Sequence, residues 1–181
     1  MKILFSPSEL NELLGILWQQ PQREFQYVGI DFAERLLKKL GEEAISTIEF
    51  MITQKSWWDT VDWVASHHAG TYFQLFPQHV ATKTESWACS DNMWLQRSAL
   101  LFQLKYKAQT DEALLFDYIT RLKSSKAFFI RKAIGWSLRE YSKTSPERVI
   151  RFLEKNNDLA GLSRREALKW IERKNKKTQH G

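Results

Sequence analysis

Leu95-Gln96-Arg97-Ser98-Ala99 returns 35 positions later as Ile130-Arg131-Lys132-Ala133-Ile134. The same step backwards from Arg97 lands on Asp62, and from Met93 on Trp58. Similar long helical stretches recurring at this interval, each followed by shorter ones, mark a helical repeat array. Such arrays stack helix pairs into a curved solenoid. The period predicts that Asp62, Arg97 and Lys132 take equivalent places on successive repeats and line one surface. No stretch alternates convincingly as a strand, so the expected fold class is all-α.

The helix signals fit that reading. Ser6-Pro7-Ser8-Glu9 reads as an N-cap, a first-turn proline and an acid, opening a helix to about Gln20. Pro21 is expected to end it and open the next, which runs to about Leu40 before Gly41. A helix over Glu42–Gln54 follows. Ser56-Trp57-Trp58-Asp59-Thr60-Val61-Asp62-Trp63 then reads as a capped helix running to Ala69 and stopped by Gly70. On it Trp57, Val61, Val64 and His68 share a core face, while Trp58 and Asp62 meet as an i,i+4 pair on the flank, either a carboxylate held for chemistry beside an aromatic wall or a capping acid and a half-buried tryptophan. Short helices are expected around Phe73 and over Pro77–Ala88. Longer ones are opened by Ser90-Asp91, Thr110-Asp111, Ser125 and Ser145-Pro146, and Ser163-Arg164-Arg165-Glu166 reads as a capping box for the last, ending near Lys174. Residues 1–174 are expected to form one domain and 175–181 a polar, frayed tail.

Composition bounds the function class. A chain of 181 residues with 43% hydrophobic and 27% charged residues suffices for one packed domain. Seven glycines and four prolines leave few breaks, which favours helices on short links. Residues 1–90 carry 7 Lys+Arg against 11 Asp+Glu, whereas residues 91–181 carry 20 against 10. A basic second half suggests an anionic partner, nucleic acid being the commonest, although a solvated charged face would look the same. One cysteine, Cys89, excludes an internal disulfide and fits a reducing compartment. No apolar run is long enough for a membrane span, and the start is too short in apolar residues for a signal peptide. A cytoplasmic protein is expected, with no membrane contact.

Several residues carry chemistry. Arg97 has apolar helical neighbours at Met93, Leu100 and Leu101, so it needs a partner. It is either a structural ion pair, with Asp59 or Asp62, or a phosphate clamp. Trp136 points away from the apolar stripe of its helix and lies beside Lys132, Arg139 and Lys143. It is either an aromatic platform in an anion-binding surface or a side chain buried against the next repeat. Arg164 and Arg165 begin a basic C-terminal series that either contacts a nucleic-acid backbone or complements a helix dipole. Adjacent His67 and His68 point apart on a helix, and with one cysteine no zinc pattern forms. No metal or other cofactor is expected. Phosphate-binding glycine loops and Gly-x-Ser-x-Gly elbows are missing from the sequence.

Ser56–Asp62, Ser90-Asp91-Asn92-Met93-Trp94-Leu95-Gln96-Arg97 and Phe128–Tyr141 resemble the AlkD-type DNA alkylation repair family. Leu162-Ser163-Arg164-Arg165-Glu166-Ala167 is similar to its last helix, and the likeness runs from about Leu13 to about Lys174. The resemblance implies a HEAT-like helical repeat solenoid whose concave basic face holds duplex DNA. It implies a monofunctional DNA glycosylase that excises N3- and N7-alkylated purines, 7-methylguanine among them, in base excision repair. Trp58 and Trp136 would then be aromatic walls against the lesion nucleotide, Asp62 the catalytic carboxylate, and Arg97 a phosphate-contacting arginine of the site. Lys132, Arg139, Lys143, Arg164 and Arg165 would contact DNA. The expected partner is double-stranded DNA containing alkylated bases, bound by a monomer that associates with the nucleoid. The family carries a further helical segment ahead of the matched part, so this chain is expected to begin at the second repeat. That departure leaves a non-catalytic DNA-binding repeat protein as the alternative function. A scaffold for a protein partner is a third reading, which the basic surface around Trp136 argues against.

Overall fold

The computed structural model describes residues 6–36 and 39–178, all helix, turn and loop without a strand among them. The helices are α1 (Pro7–Gln19), α2 (Glu24–Leu36), α3 (Ala44–Thr53), α4 (Trp58–Trp63), α5 (Gly70–Leu75), α6 (Val80–Ala88), α7 (Met93–Leu101), α8 (Glu112–Leu122), α9 (Phe128–Ser142), α10 (Pro146–Lys155) and α11 (Gly161–Thr178). This is a helical repeat fold, as the period predicted. Polar side chains bond one repeat to the next at almost the same interval. Trp18 Nε1 donates to the Gln54 carbonyl at 3.0 Å, and the Tyr106 hydroxyl donates to the Gly70 carbonyl at 2.7 Å. The hydroxyls of Thr84 and Tyr118 share a bond of 2.6 Å, and Arg121 and Arg148 reach Glu85 and Glu112. Partners are 34 to 36 residues apart, so the sequence period is written into the packing.

The core runs continuously through the helix pairs. Leu14, Ile48, Ile52, Val61, Leu101, Ile119, Ile130, Ile134, Leu138 and Val149 are all fully buried. Several starts behave as read from sequence. Ser6 and Glu9 form a reciprocal capping box on α1. Asp111 caps α8 by accepting from the Leu114 amide at 3.0 Å.

Other boundaries are corrected. Residues 20–23 form a turn, and α2 starts at Glu24 rather than Pro21. Its expected end near Leu40 runs into Leu37 and Lys38, which lie outside the described residues. Ser56 does not cap α4: its hydroxyl donates to the Ile52 carbonyl at 2.6 Å, and extended Trp57 precedes the helix. Trp57 is 45% exposed instead of lying in the core. Gly70 stops nothing, because a wide π turn over Val64–Ala69 carries the helix on into α5. Side chains there would strike the Phe102 carbonyl, so glycine is kept for close packing. The helix opened after Ser90, expected to run to about Lys107, ends at Leu101 with Asn92 as its cap. α9, expected over Lys126–Lys143, starts at Phe128, and α11 starts at Gly161 and continues to Thr178, past the expected end. Ser163 and Glu166 therefore form no capping box, and Ser163 Oγ donates to the Arg131 carbonyl at 2.8 Å.

α9 and α11 pack tightly at Gly135. A Cβ on Gly135 would press on Glu166 Cβ and lie 2.7 Å from the Ser163 carbonyl. The Gly135→Ala variant is expected to lose about 1–3 kcal/mol by overpacking. Urea unfolding measures it, and unchanged stability would show that the two helices can separate without cost.

Candidate functional site

Asp62 stands on α4 and Arg97 on α7, one repeat later, so their helices meet side by side. Asp62 is 8% exposed and Arg97 4% exposed. The pair is bidentate: Arg97 Nε donates to Oδ1 at 2.7 Å and Nη2 to Oδ2 at 2.8 Å. Arg97 Nη1 also donates to the Phe129 carbonyl in the first turn of α9. Three repeats are thus tied at one guanidinium. Of the two readings left open for Arg97, the geometry is that of an ion pair with Asp62. A clamp closing on phosphate would need an open fork, and most of this fork is spent. Burial pushes the Asp62 carboxyl above its ordinary value, opposed by the hydrogen bonds and charge of Arg97 and aided by nearby Asp59. Asp59 itself pairs with Arg23 and accepts from the Tyr27 hydroxyl at 2.6 Å.

Behind the pair lies an aromatic cluster. Phe129 packs against Trp94 with ring centres 5.1 Å apart and against Trp57 at 5.5 Å, and the Arg97 guanidinium lies 5.8 Å from its ring centre. The cluster explains why Trp57 is conspicuous in the sequence without being in the core. After Asp62 the π turn begins, and Ser66 Oγ donates to the Asp62 carbonyl at 2.7 Å. This turn buries His68 with neither ring nitrogen bonded, and burial, with His67 nearby, pushes it down to about 3. His68 is a neutral core residue. His67 points the other way and stacks on Trp63, ring centres 3.8 Å apart.

In front of the pair is an open cavity of about 460 Å³. It is lined by Trp58, Asp62, Arg97, Phe128, Phe129, Lys132, Trp136, Arg139, Glu166 and Lys169. The structure thus brings Trp58, Asp62, Arg97, Lys132, Trp136 and Arg139 together. Trp58 is 48% exposed and Trp136 half-buried, so both offer ring surface to the cavity. Three sequence-read cations fall elsewhere. Lys143 binds Glu140 and lines a neighbouring groove with Lys105 and Thr144. Arg164 donates to the Leu153 carbonyl near the end of α10 at 3.0 Å, so its role there is a helix cap. Arg165 is exposed on α11 and does not line the cavity.

Sequence reasoning did not single out Phe128, read Glu166 only as a capping residue, and placed Lys169 only within the basic C-terminal series; all three line the cavity. Phe128 is 58% exposed at the mouth. Glu166 accepts from Lys132 and Arg139, each at 2.9 Å, and from Lys169. Burial pushes its carboxyl up, but Lys169 and Lys132 outweigh that and hold it at about 2. The signal was available, since Lys132 and Glu166 are 34 residues apart, one repeat. Among the described residues no group of three or more His, Cys, Asp or Glu side chains could hold a metal ion. No described helix is long and apolar enough to cross a membrane.

The buried pair should be energetically coupled. Asp62→Asn and Arg97→Met, taken singly, are each expected to cost about 3–5 kcal/mol by stranding a charge. The double variant should cost clearly less than their sum in urea unfolding. Additive losses would show that the two side chains do not depend on each other.

The chain as a whole is similar to known proteins. The family model for "DNA alkylation repair enzyme" matches residues 2–171. A solved structure described as a "Predicted DNA alkylation repair enzyme from Enterococcus faecalis" is 33% identical, with a TM-score of 0.85. That match covers 92% of this chain and 78% of the other. No curated protein matches.

Proposed function

We propose, from the premise that this chain belongs to the DNA alkylation repair enzyme family, that it is a monofunctional glycosylase for cationic N3- and N7-alkylated purines in duplex DNA. The observation that carries the reading is a buried carboxylate, fixed in orientation by Arg97, facing an open cavity walled by tryptophans.

A purine alkylated at N3 or N7 is already positively charged. When its bond to C1′ breaks, the electron pair goes to the purine nitrogen and the base leaves neutral, so no general acid is required. Positive charge passes to the deoxyribose. Water then adds to C1′ and gives up a proton, leaving an abasic sugar. Asp62 would stabilise the sugar cation and accept a hydrogen bond from that water. Arg97 occupies one acceptor direction on each Asp62 oxygen, and each carboxylate oxygen has a second. A unit charge pair at about 4 Å and an effective dielectric near 20 is worth about 4 kcal/mol, an upper guide to the Asp62 share. Arg97 offsets part of that charge but keeps the carboxylate ionised and correctly turned. The faces of Trp58 and Trp136 would add roughly 0.5–2 kcal/mol each toward a cation. A half-open cavity suits a nucleotide pressed between aromatic walls better than a base swung into a deep pocket. Lys132, Arg139 and Lys169 rim the cavity and would engage backbone phosphate, making affinity strongly salt-dependent.

Asp62→Asn, assayed below its unfolding temperature, should retain duplex binding and lose release of 7-methylguanine by about a hundredfold or more. Unchanged release would remove the role of Asp62, and binding without release by the wild-type chain would favour a non-catalytic DNA-binding protein.

The pH profile provides a separate check. Because the folded carboxyl titrates above the ordinary 3.8, its charge is lost earlier on acidification. The single-turnover rate should fall along an acid limb lying above pH 3.8, and Asp62→Asn should abolish that limb. An acid limb of the same position in the variant would assign it to another group.

A further inference from the structure

The cavity contains a second buried carboxylate that the chemistry above does not use. Glu166 holds Lys132 and Lys169 on Oε1 and Arg139 on Oε2. The Glu166 side chain is 7% exposed, whereas those of Lys132, Arg139 and Lys169 are 38, 27 and 47% exposed. The acid lies beneath and the cations lie above it, at the cavity wall. Desolvating a carboxylate to hold cations that remain wet is a poor way to gain stability. The arrangement also depends on the tight α9–α11 contact at Gly135. A surface ion pair would need none of this.

We infer that Glu166 is a positioning residue, which gathers Lys132, Arg139 and Lys169 into one fixed phosphate-binding cluster beside the lesion cavity and weakens attraction for undamaged duplex. The inference rests on the DNA reading of this cavity. Long cationic side chains have many rotamers, and a phosphate that ordered three of them would lose binding energy in doing so. Glu166 orders them beforehand. Its negative charge also subtracts from the field that any phosphate meets. The two effects act on different steps. Binding to unmodified duplex follows charge count, because it is governed by counterion release. The chemical step follows geometry, because it requires the damaged nucleotide at Asp62.

The test is Glu166→Gln in the full chain, which keeps the side-chain volume and an acceptor oxygen but removes the charge. Two quantities are measured: affinity for unmodified duplex, and single-turnover release of 7-methylguanine at saturating protein. Binding should be no weaker than wild type, while saturated release slows by about tenfold or more. Glu166→Asp, which restores the charge on a shorter stem, should recover part of the rate. A merely structural loss would weaken both binding and release, and that result would overturn the inference. Release at the wild-type rate from folded Glu166→Gln would overturn it equally. If the wild-type chain releases no base, the glycosylase reading fails and the binding arm alone decides, weaker binding counting against Glu166. Should Glu166→Gln not fold, Lys169→Gln removes one half-exposed member of the cluster. It should slow saturated release with an unchanged melting temperature, and an unchanged rate would overturn the inference.

Discussion

A carboxylate with only a few per cent of its surface in water needs a fixed partner to remain charged. Asp62 has one in the two parallel hydrogen bonds from Arg97. The rest of the architecture serves that contact. α4 and α7 come from consecutive repeats, so the pair forms only when the repeats stack in register. The third bond of Arg97, to the Phe129 carbonyl, brings in α9 from the next repeat. An interaction that fixes the stacking of the solenoid is therefore also the one that orients the proposed catalytic group. Stability and the proposed chemistry share the same atoms.

The surrounding residues follow from what this pair needs. A guanidinium taken out of water gains from an aromatic surface, and Phe129, itself packed on Trp94 and Trp57, supplies it. The wide turn after Asp62 lets the helix continue while its carbonyl accepts from Ser66. On the far side of the cavity Glu166 repeats the motif with the balance reversed, one buried acid under three cations. The cavity thus has an acidic centre against Asp62 and a basic rim beside Trp136. That polarity matches a sugar that becomes positive next to a phosphate that stays negative.

The period was the most legible feature of the sequence, because stacking imposes it on every repeat. It brought Asp62 and Arg97 to equivalent places and identified the helical repeat fold. Trp136 was conspicuous because a tryptophan off the apolar stripe is uncommon without a cause, and Trp58 and Asp62 because they meet as an i,i+4 pair at the edge of that stripe, while the roles given to all three came from the family resemblance. The structure brings them into one cavity. What was not legible depended on three dimensions. Ser163 and Glu166 have the spacing of a capping box, and only the early start of α11 at Gly161 shows that both side chains serve the α9 contact instead. Arg164 sits in a basic run, yet the nearby Leu153 carbonyl takes its guanidinium. Gly70 carries the usual signal for a helix end, and the signal is overridden by a close approach to the Phe102 carbonyl.

The central claim is that Asp62 stabilises a sugar cation while the charge already on the base replaces a general acid. It is tested most directly by comparing two duplexes, one with 7-methylguanine and one with O6-methylguanine, at saturating wild-type protein. The alkyl groups are alike, but only the first base is cationic. The account predicts release of 7-methylguanine and none of O6-methylguanine. Equal release of both would contradict it, because the protein would then have to supply the acid that this cavity is argued not to need.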